Sequence, residues 1–101
     1  MSARQLRIRN AQDLIEGLTS PEVSVRLAVL GATGRNPQAA LAYGAHEGRD
    51  VIDTLIEQAT LAQGTSLWDA FAGVLSAFDD PRAEAFFREV LAEAEEPKRL
   101  I

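Results

Sequence analysis

Residues 25–34 read VRLAVLGATG, and the fold class depends on whether they form a strand or a helix. The stretch fits either a short buried strand that enters a glycine-rich turn or one face of a helix. Val25, Ala28, Val29 and Ala32 recur at spacings of three and four residues, which places them on one helix face. The sustained alternation of a half-buried strand is absent. The spacing therefore predicts a helix.

The same apolar spacing covers most of the chain. Further apolar stripes are Leu14, Ile15 and Leu18; Ala39, Ala40 and Tyr43; Ile52, Leu55, Ile56 and Ala59; Leu67, Phe71, Val74, Leu75 and Phe78; and Ala83, Phe86, Phe87, Val90 and Leu91. Helices are predicted at 11–18, 22–33, 37–46, 50–62, 66–78 and 82–94. The predicted fold class is all-α, with short connections between antiparallel neighbours.

Helix-start and helix-stop residues support these bounds. Three dipeptides pair a capping side chain with proline at the first helical position: Ser20-Pro21, Asn36-Pro37 and Asp80-Pro81. Glycines stand where helices are predicted to end: Gly34, Gly48 and Gly64.

The chain also contains an internal repeat at a shift of 44 residues. Among the matched positions are Leu27 with Phe71, Ala28 with Ala72, Pro37 with Pro81 and Tyr43 with Phe87. We therefore predict two helix triplets, at 11–46 and 50–94, between a flexible N-terminal segment at 1–10 and a C-terminal segment at 95–101. That last segment is either a stub or the start of a further repeat. Stacked units of this kind bury apolar faces that no unit buries alone, and they leave an extended groove.

These residues resemble a known family. The stretch 25–34 resembles the first-helix signature of HEAT repeats, a Val-Arg pair followed by spaced small residues, and Asp80-Pro81-Arg82-Ala83 resembles the start of a HEAT second helix. The resemblance implies a short right-handed α-solenoid of about six antiparallel helices, HEAT/armadillo-like. One departure is Leu67-Trp68, which stands where a Val-Arg pair is expected in the second unit.

The same resemblance implies a non-catalytic protein–protein interaction module or scaffold. Some bacterial relatives of the family resemble domains that accompany phycobilin lyases. An accessory domain of an enzyme is therefore the alternative function.

Composition excludes several classes of protein and site. The chain has 101 residues, no Cys and a net charge of −5, so it has no disulfides and no thiolate metal site. The acidic balance argues against nucleic-acid binding, and no apolar run is long enough to cross a bilayer. The first ten residues lack the apolar segment of a secretory signal, and a cytoplasmic location is the expectation.

A small nucleotide-binding protein is a third hypothesis. The run Gly31-Ala32-Thr33-Gly34 resembles a dinucleotide-binding turn, with Asp50 or Asp53 near the distance of a ribose-binding acid. Against it, Pro37 occupies the third glycine position, and the residues after Val51 continue at helical spacing rather than forming a second strand.

No constellation of residues indicates catalysis. His46 is the only histidine, and the acidic pair Asp79-Asp80 is adjacent in sequence rather than set across a cleft. We therefore expect no enzyme activity, no cofactor and no metal.

The candidate protein-binding residues lie on the second helices, 37–46 and 82–94. They are Tyr43, His46, Glu84 and Arg88. The expected partner is another protein or peptide with a basic segment, since the C-terminal two thirds of the chain are acidic. Self-association through uncapped ends of the stack is a further expectation.

Overall fold

A computed structural model describes the backbone of residues 8–99 and the side chains of residues 8–93. Over this part the chain is all-α, as predicted. The helices are α1 (Ala11–Leu18), α2 (Val23–Arg35), α3 (Pro37–Ala42), α4 (Val51–Ala62), α5 (Trp68–Leu75) and α6 (Pro81–Arg99). Within residues 8–99 the one β-type pairing is an isolated bridge between His46 and Arg49.

The helices begin where polar side chains satisfy free backbone N–H groups. The Asn10 side chain accepts from the Asp13 N–H at the start of α1, and the Asn36 side chain accepts from the Ala39 N–H at the start of α3. Asp50 and Asp53 form a reciprocal capping box at α4.

The cap predicted at the start of α6 is confirmed, and the cap predicted at the start of α2 is not. At α6 the Asp80 carboxylate accepts from the Arg82 N–H at 2.8 Å, which confirms the cap predicted there. At α2 the Ser20-Pro21 prediction is wrong. Glu22 is the N-cap residue and makes no side-chain cap hydrogen bond, while the Ser20 hydroxyl, two residues before it, accepts from the Glu22 N–H.

The predicted helix at 37–46 is too long. It ends at Ala42, because Gly44 takes a left-handed φ of +82° that a helix cannot contain. Residues 46–49 form a tight two-residue hairpin instead. His46 and Arg49 exchange both backbone hydrogen bonds, at 2.8 and 3.1 Å.

Gly34 does not end a helix, contrary to the prediction. The α2 helix continues to Arg35, and Asn36 both ends α2 and caps α3. The missing side chain serves packing: a Cβ at Gly34 would lie 3.3 Å from the Val74 Cγ2 of α5.

The C-terminal helix α6 is longer than predicted. It continues to Arg99, beyond the predicted end at residue 94, so residues 95–99 extend α6. The predicted flexible segment at 1–10 lies mostly outside the described residues, as do residues 100–101 of the C-terminal segment.

The helices pack as two neighbouring pairs. The α1 helix packs against α2, and α4 packs against α5. Between the pairs, α1 contacts α4 and α2 contacts α5, while α3 and α6 both contact α4. The molecule is elongated, 51 Å along its longest axis and 27 by 23 Å across.

A continuous apolar core joins the two pairs. Its most deeply buried large side chains come from α1, α4 and α5: Leu14, Leu18, Val51, Ile52, Leu55, Phe71 and Leu75. Complete burial of each such side chain stabilises the fold by roughly 1.5–3 kcal/mol. The core therefore fixes α4 between its neighbours, and with it the loops at both ends of α4.

Candidate functional site

Tyr43 and His46 lie at the end of α3 and in the hairpin that follows it. The Tyr43 side chain is 36% exposed, and its hydroxyl donates a hydrogen bond of 2.9 Å to the Ile8 carbonyl oxygen. This bond holds residue 8 against the end of α3. His46 is half-buried and lies in the hairpin rather than at the helix C-terminus that the sequence predicted.

Glu84 and Arg88 face solvent together on α6. Their side chains are about three quarters exposed and form an i,i+4 ion pair at 3.7 Å. An exposed pair of this kind contributes little to stability. No described hydrogen bond or ion pair joins Glu84 or Arg88 to Tyr43 or His46.

Arg82 connects the two segments that carry these residues. Its guanidinium donates to both Asp50 carboxylate oxygens, at 3.1 and 3.0 Å, and to Asp53 at 3.0 Å. It also binds Asp80, at 3.1 and 3.2 Å. The N-terminus of α6 is thereby fixed to the capping box of α4, four residues after His46.

The network changes the ionisation of its members. Burial alone would raise the pKa of the Asp50 carboxyl, but hydrogen bonds from Arg82 and from backbone N–H groups lower it below the ordinary value. The pKa of Asp80 is lowered chiefly by its hydrogen bond with the Arg82 side chain, and the pKa of Arg82 is raised chiefly by Asp80 and Asp50. The Asp50 and Asp80 carboxylates therefore stay ionised at neutral pH.

The surface around this network is acidic. We call the segments 46–57 and 79–88 the acidic face; they carry seven acidic and three basic residues. All three basic residues, Arg49, Arg82 and Arg88, are paired with carboxylates of the same face, Arg49 with Glu57 at 2.6 Å. The face therefore presents a net negative charge to solvent.

A small cavity of about 180 Å³ opens on the acidic face, between the end of α5 and the start of α6. Phe78 and Phe87 give it apolar walls, and Asp79, Asp80 and Glu84 also line it. The sequence indicated Glu84 as a binding residue but placed Phe78 and Phe87 in the core. Only Phe78 is fully buried, while Phe87 is half-buried.

A larger cavity, of about 400 Å³, lies elsewhere, among the start of α2, the end of α4 and the turn into α5. Its lining includes Arg26, which the sequence marked only as part of the Val-Arg pair. Nothing in the sequence connects Arg26 to residues more than thirty positions away, so this cavity was not predicted.

The glycine-rich turn of the nucleotide hypothesis is not formed. Gly31 and Gly34 lie inside the continuous helix α2, and neither has the positive φ found at Gly44, Gly48 and Gly64. A phosphate-binding turn needs a break between strand and helix at this point, and residues 29–35 contain none. The two acids proposed for the ribose, Asp50 and Asp53, bind Arg82 instead.

Within residues 8–93, no group of three or more His, Asp and Glu side chains is arranged to hold a metal ion. No helix in the described part combines the length and apolarity needed to cross a bilayer.

Comparison with known proteins identifies no relative of the chain. No protein-family model, curated protein or solved structure matches the chain.

Proposed function

We propose that the chain is a short HEAT/armadillo-like α-solenoid that acts as a non-catalytic interaction module and binds a basic segment of a partner protein. The packing supports the solenoid, because α1 lies against α4 and α2 against α5, as equivalent helices of successive units do in stacked repeats. The chain's resemblance to HEAT first and second helices, at residues 25–34 and 80–83, is the second support for this proposal.

One observation carries the choice of partner: the cavity between α5 and α6 combines apolar walls with carboxylates. A lysine or arginine side chain has an apolar stem and a cationic end. Its stem fits against Phe78 and Phe87, and its charge is opposite to that of Asp79 and Glu84. Such charge complementarity speeds association and selects the partner.

Site-specific crosslinking tests the proposal in the full chain. A photoreactive residue replaces Ser76, which lines the cavity, or Gln12, an exposed residue of α1 that serves as the control. We expect one protein to be crosslinked from position 76 in cell extract and not from position 12. Crosslinking of the same proteins from both positions would overturn the assignment.

The purified partner then allows a matched test of charge. Glu84→Gln removes a carboxylate from the cavity lining, whereas Glu89→Gln makes the same change at an exposed position of α6 outside it. We expect Glu84→Gln to weaken binding about tenfold, as the loss of a charge-assisted hydrogen bond does. Equal affinities for the two variants would exclude this cavity as the binding site.

A further inference from the structure

The largest of the described cavities lies on a different part of the molecule from the acidic face. It measures about 400 Å³ and is bounded by α2, α4 and the N-terminus of α5. This volume lies within the range of small-molecule sites in proteins, roughly 300–1,000 Å³.

Apolar side chains form most of the cavity. Phe71 is buried at its base, with an exposed fraction of 1%, while Val23 and Leu61 are 43% and 73% exposed beside it. A single exposed leucine is ordinary. Two exposed aliphatic side chains around an apolar cavity form a continuous surface that a hydrocarbon chain can cover.

Arg26 places one cationic group in this apolar setting. Its side chain is half-buried, and its Nε is shielded from solvent and has no hydrogen-bond acceptor. None of the ion pairs among the described residues involves Arg26, although the chain carries 15 acidic residues. Because no described carboxylate pairs with Arg26, the solvent-accessible part of its guanidinium is available to an anionic group bound in the cavity.

We infer that this cavity binds a small aliphatic monocarboxylate, with its hydrocarbon chain against Phe71, Val23 and Leu61 and its carboxylate paired with the Arg26 guanidinium. The planar guanidinium presents two parallel N–H donors, which match the two oxygens of a carboxylate. Thr65 and Ser66 also line the cavity and supply hydroxyl groups beside the apolar walls.

Titration of the full chain with octanoate, followed by amide chemical shifts, tests this inference. We expect the shifts to concentrate at the start of α2, the end of α4 and residues 65–71, and to saturate. Shifts that do not saturate, or that concentrate on α6, would overturn it.

A matched pair of variants tests the role of the charge. Arg26→Met keeps the apolar stem, and we expect it to weaken octanoate binding roughly tenfold or more while leaving 1-octanol binding unchanged. Arg35→Met, at an exposed arginine of the same helix, is the control and should bind octanoate as the unmodified chain does. If Arg26→Met does not fold, Leu61→Glu replaces it, because Leu61 is mostly exposed and the new charge repels a carboxylate.

A peptide ending in leucine offers the same chemistry from another source. Acetyl-Ala-Leu with a free C-terminus carries an aliphatic side chain beside a carboxylate. We expect it to bind more weakly than octanoate, because its peptide groups must lose water against apolar walls. Tighter binding of the peptide would overturn the assignment to a small molecule, as would equal octanoate affinities for the unmodified chain and Arg26→Met.

Discussion

Gly17 of α1 packs directly against Val29 of α2. A Cβ at this position would lie 2.5 Å from Val29 Cγ2, and Val29 is buried in the core. We expect Gly17→Ala to destabilise the fold by about 1–3 kcal/mol, the usual range for an overpacked core. Gly73 is the matched control, because it lies in α5 with no atom within 4 Å of the added Cβ.

For Gly73→Ala we expect a gain of roughly 0.5–1 kcal/mol, from the higher helix propensity of alanine. Urea unfolding of the two variants measures both effects. Destabilisation of similar size in both would mean that the contact with Val29 is not the cause.

Arg82 is the residue whose loss should affect the α4–α6 contact most. Arg82→Met removes the donor shared by Asp50, Asp53 and Asp80 and leaves three carboxylates close together. Because the guanidinium is 42% exposed and screened by solvent, we expect a loss of only about 1 kcal/mol in the free energy of unfolding. The loss should shrink in 1 M salt. Arg88→Met, which breaks only the exposed pair with Glu84, should change stability little, and equal losses for the two variants would contradict the role of Arg82.

The same network predicts how stability depends on pH. The pKa values of Asp50 and Asp80 are lowered in the folded chain, below an ordinary value of 3.8. Their contribution is therefore complete above the unfolded pKa and is lost as pH falls through the lower, folded pKa. Unfolding midpoints measured from pH 6 to pH 2 should decrease below about pH 4, and less steeply in Arg82→Met. Parallel curves for the two proteins would show that Arg82 does not set these pKa values.

At the level of the helices and turns, the sequence predicted some element boundaries and missed others. Asn36 and Asp80 precede proline, and this local signal predicted the starts of α3 and α6. The hairpin at 46–49 was missed because its central pair, Glu47-Gly48, is not the Asn-Gly pair that marks such turns. Gly34 was mistaken for a helix end because its contact with Val74, forty residues away, leaves no local signal.

The hairpin itself contains a conformation that its sequence does not favour. Glu47 has a φ of 55° and Gly48 a φ of 81°, as a type I′ turn requires. A left-handed conformation is unfavourable for glutamate and much less so for asparagine. We expect Glu47→Asn to stabilise the fold by roughly 0.5–1 kcal/mol.

Glu47→Gln is the control for this change, because it removes the same charge without favouring the left-handed conformation. Thermal unfolding measures the difference between the two variants. Equal melting temperatures would argue that the charge of Glu47, and not its backbone, limits the stability of the turn.

For the whole molecule, the sequence predicted the all-helical class but not the sites between the helices. Periodicity reports which face of a helix is buried, and it predicted the core residues of α1, α4 and α5. In α2 the predicted stripe is wrong, because Ala28 is exposed while Leu30 and Thr33 are buried. It does not report which helices become neighbours. The Arg82 network joins positions 29 and 32 residues apart, and the Arg26 cavity joins α2 to α4 and α5. Both depend on tertiary packing, which local spacing does not determine.

The shared core predicts that the two helix pairs unfold together. Leu55 of α4 is completely buried in a cluster to which all six helices contribute buried or half-buried side chains, so no pair keeps its core when the other unfolds. Helix content by circular dichroism and the fluorescence of Trp68, whose ring lies 6.0 Å from that of Phe86, should therefore give the same unfolding midpoint.

We expect Leu55→Ala to lower the free energy of unfolding by about 2–5 kcal/mol and to move both midpoints equally. Leu91→Ala, at a position that is 64% exposed on α6, should move neither. Midpoints that separate in Leu55→Ala would instead indicate units that fold independently, the behaviour of a longer repeat array whose cooperativity breaks down.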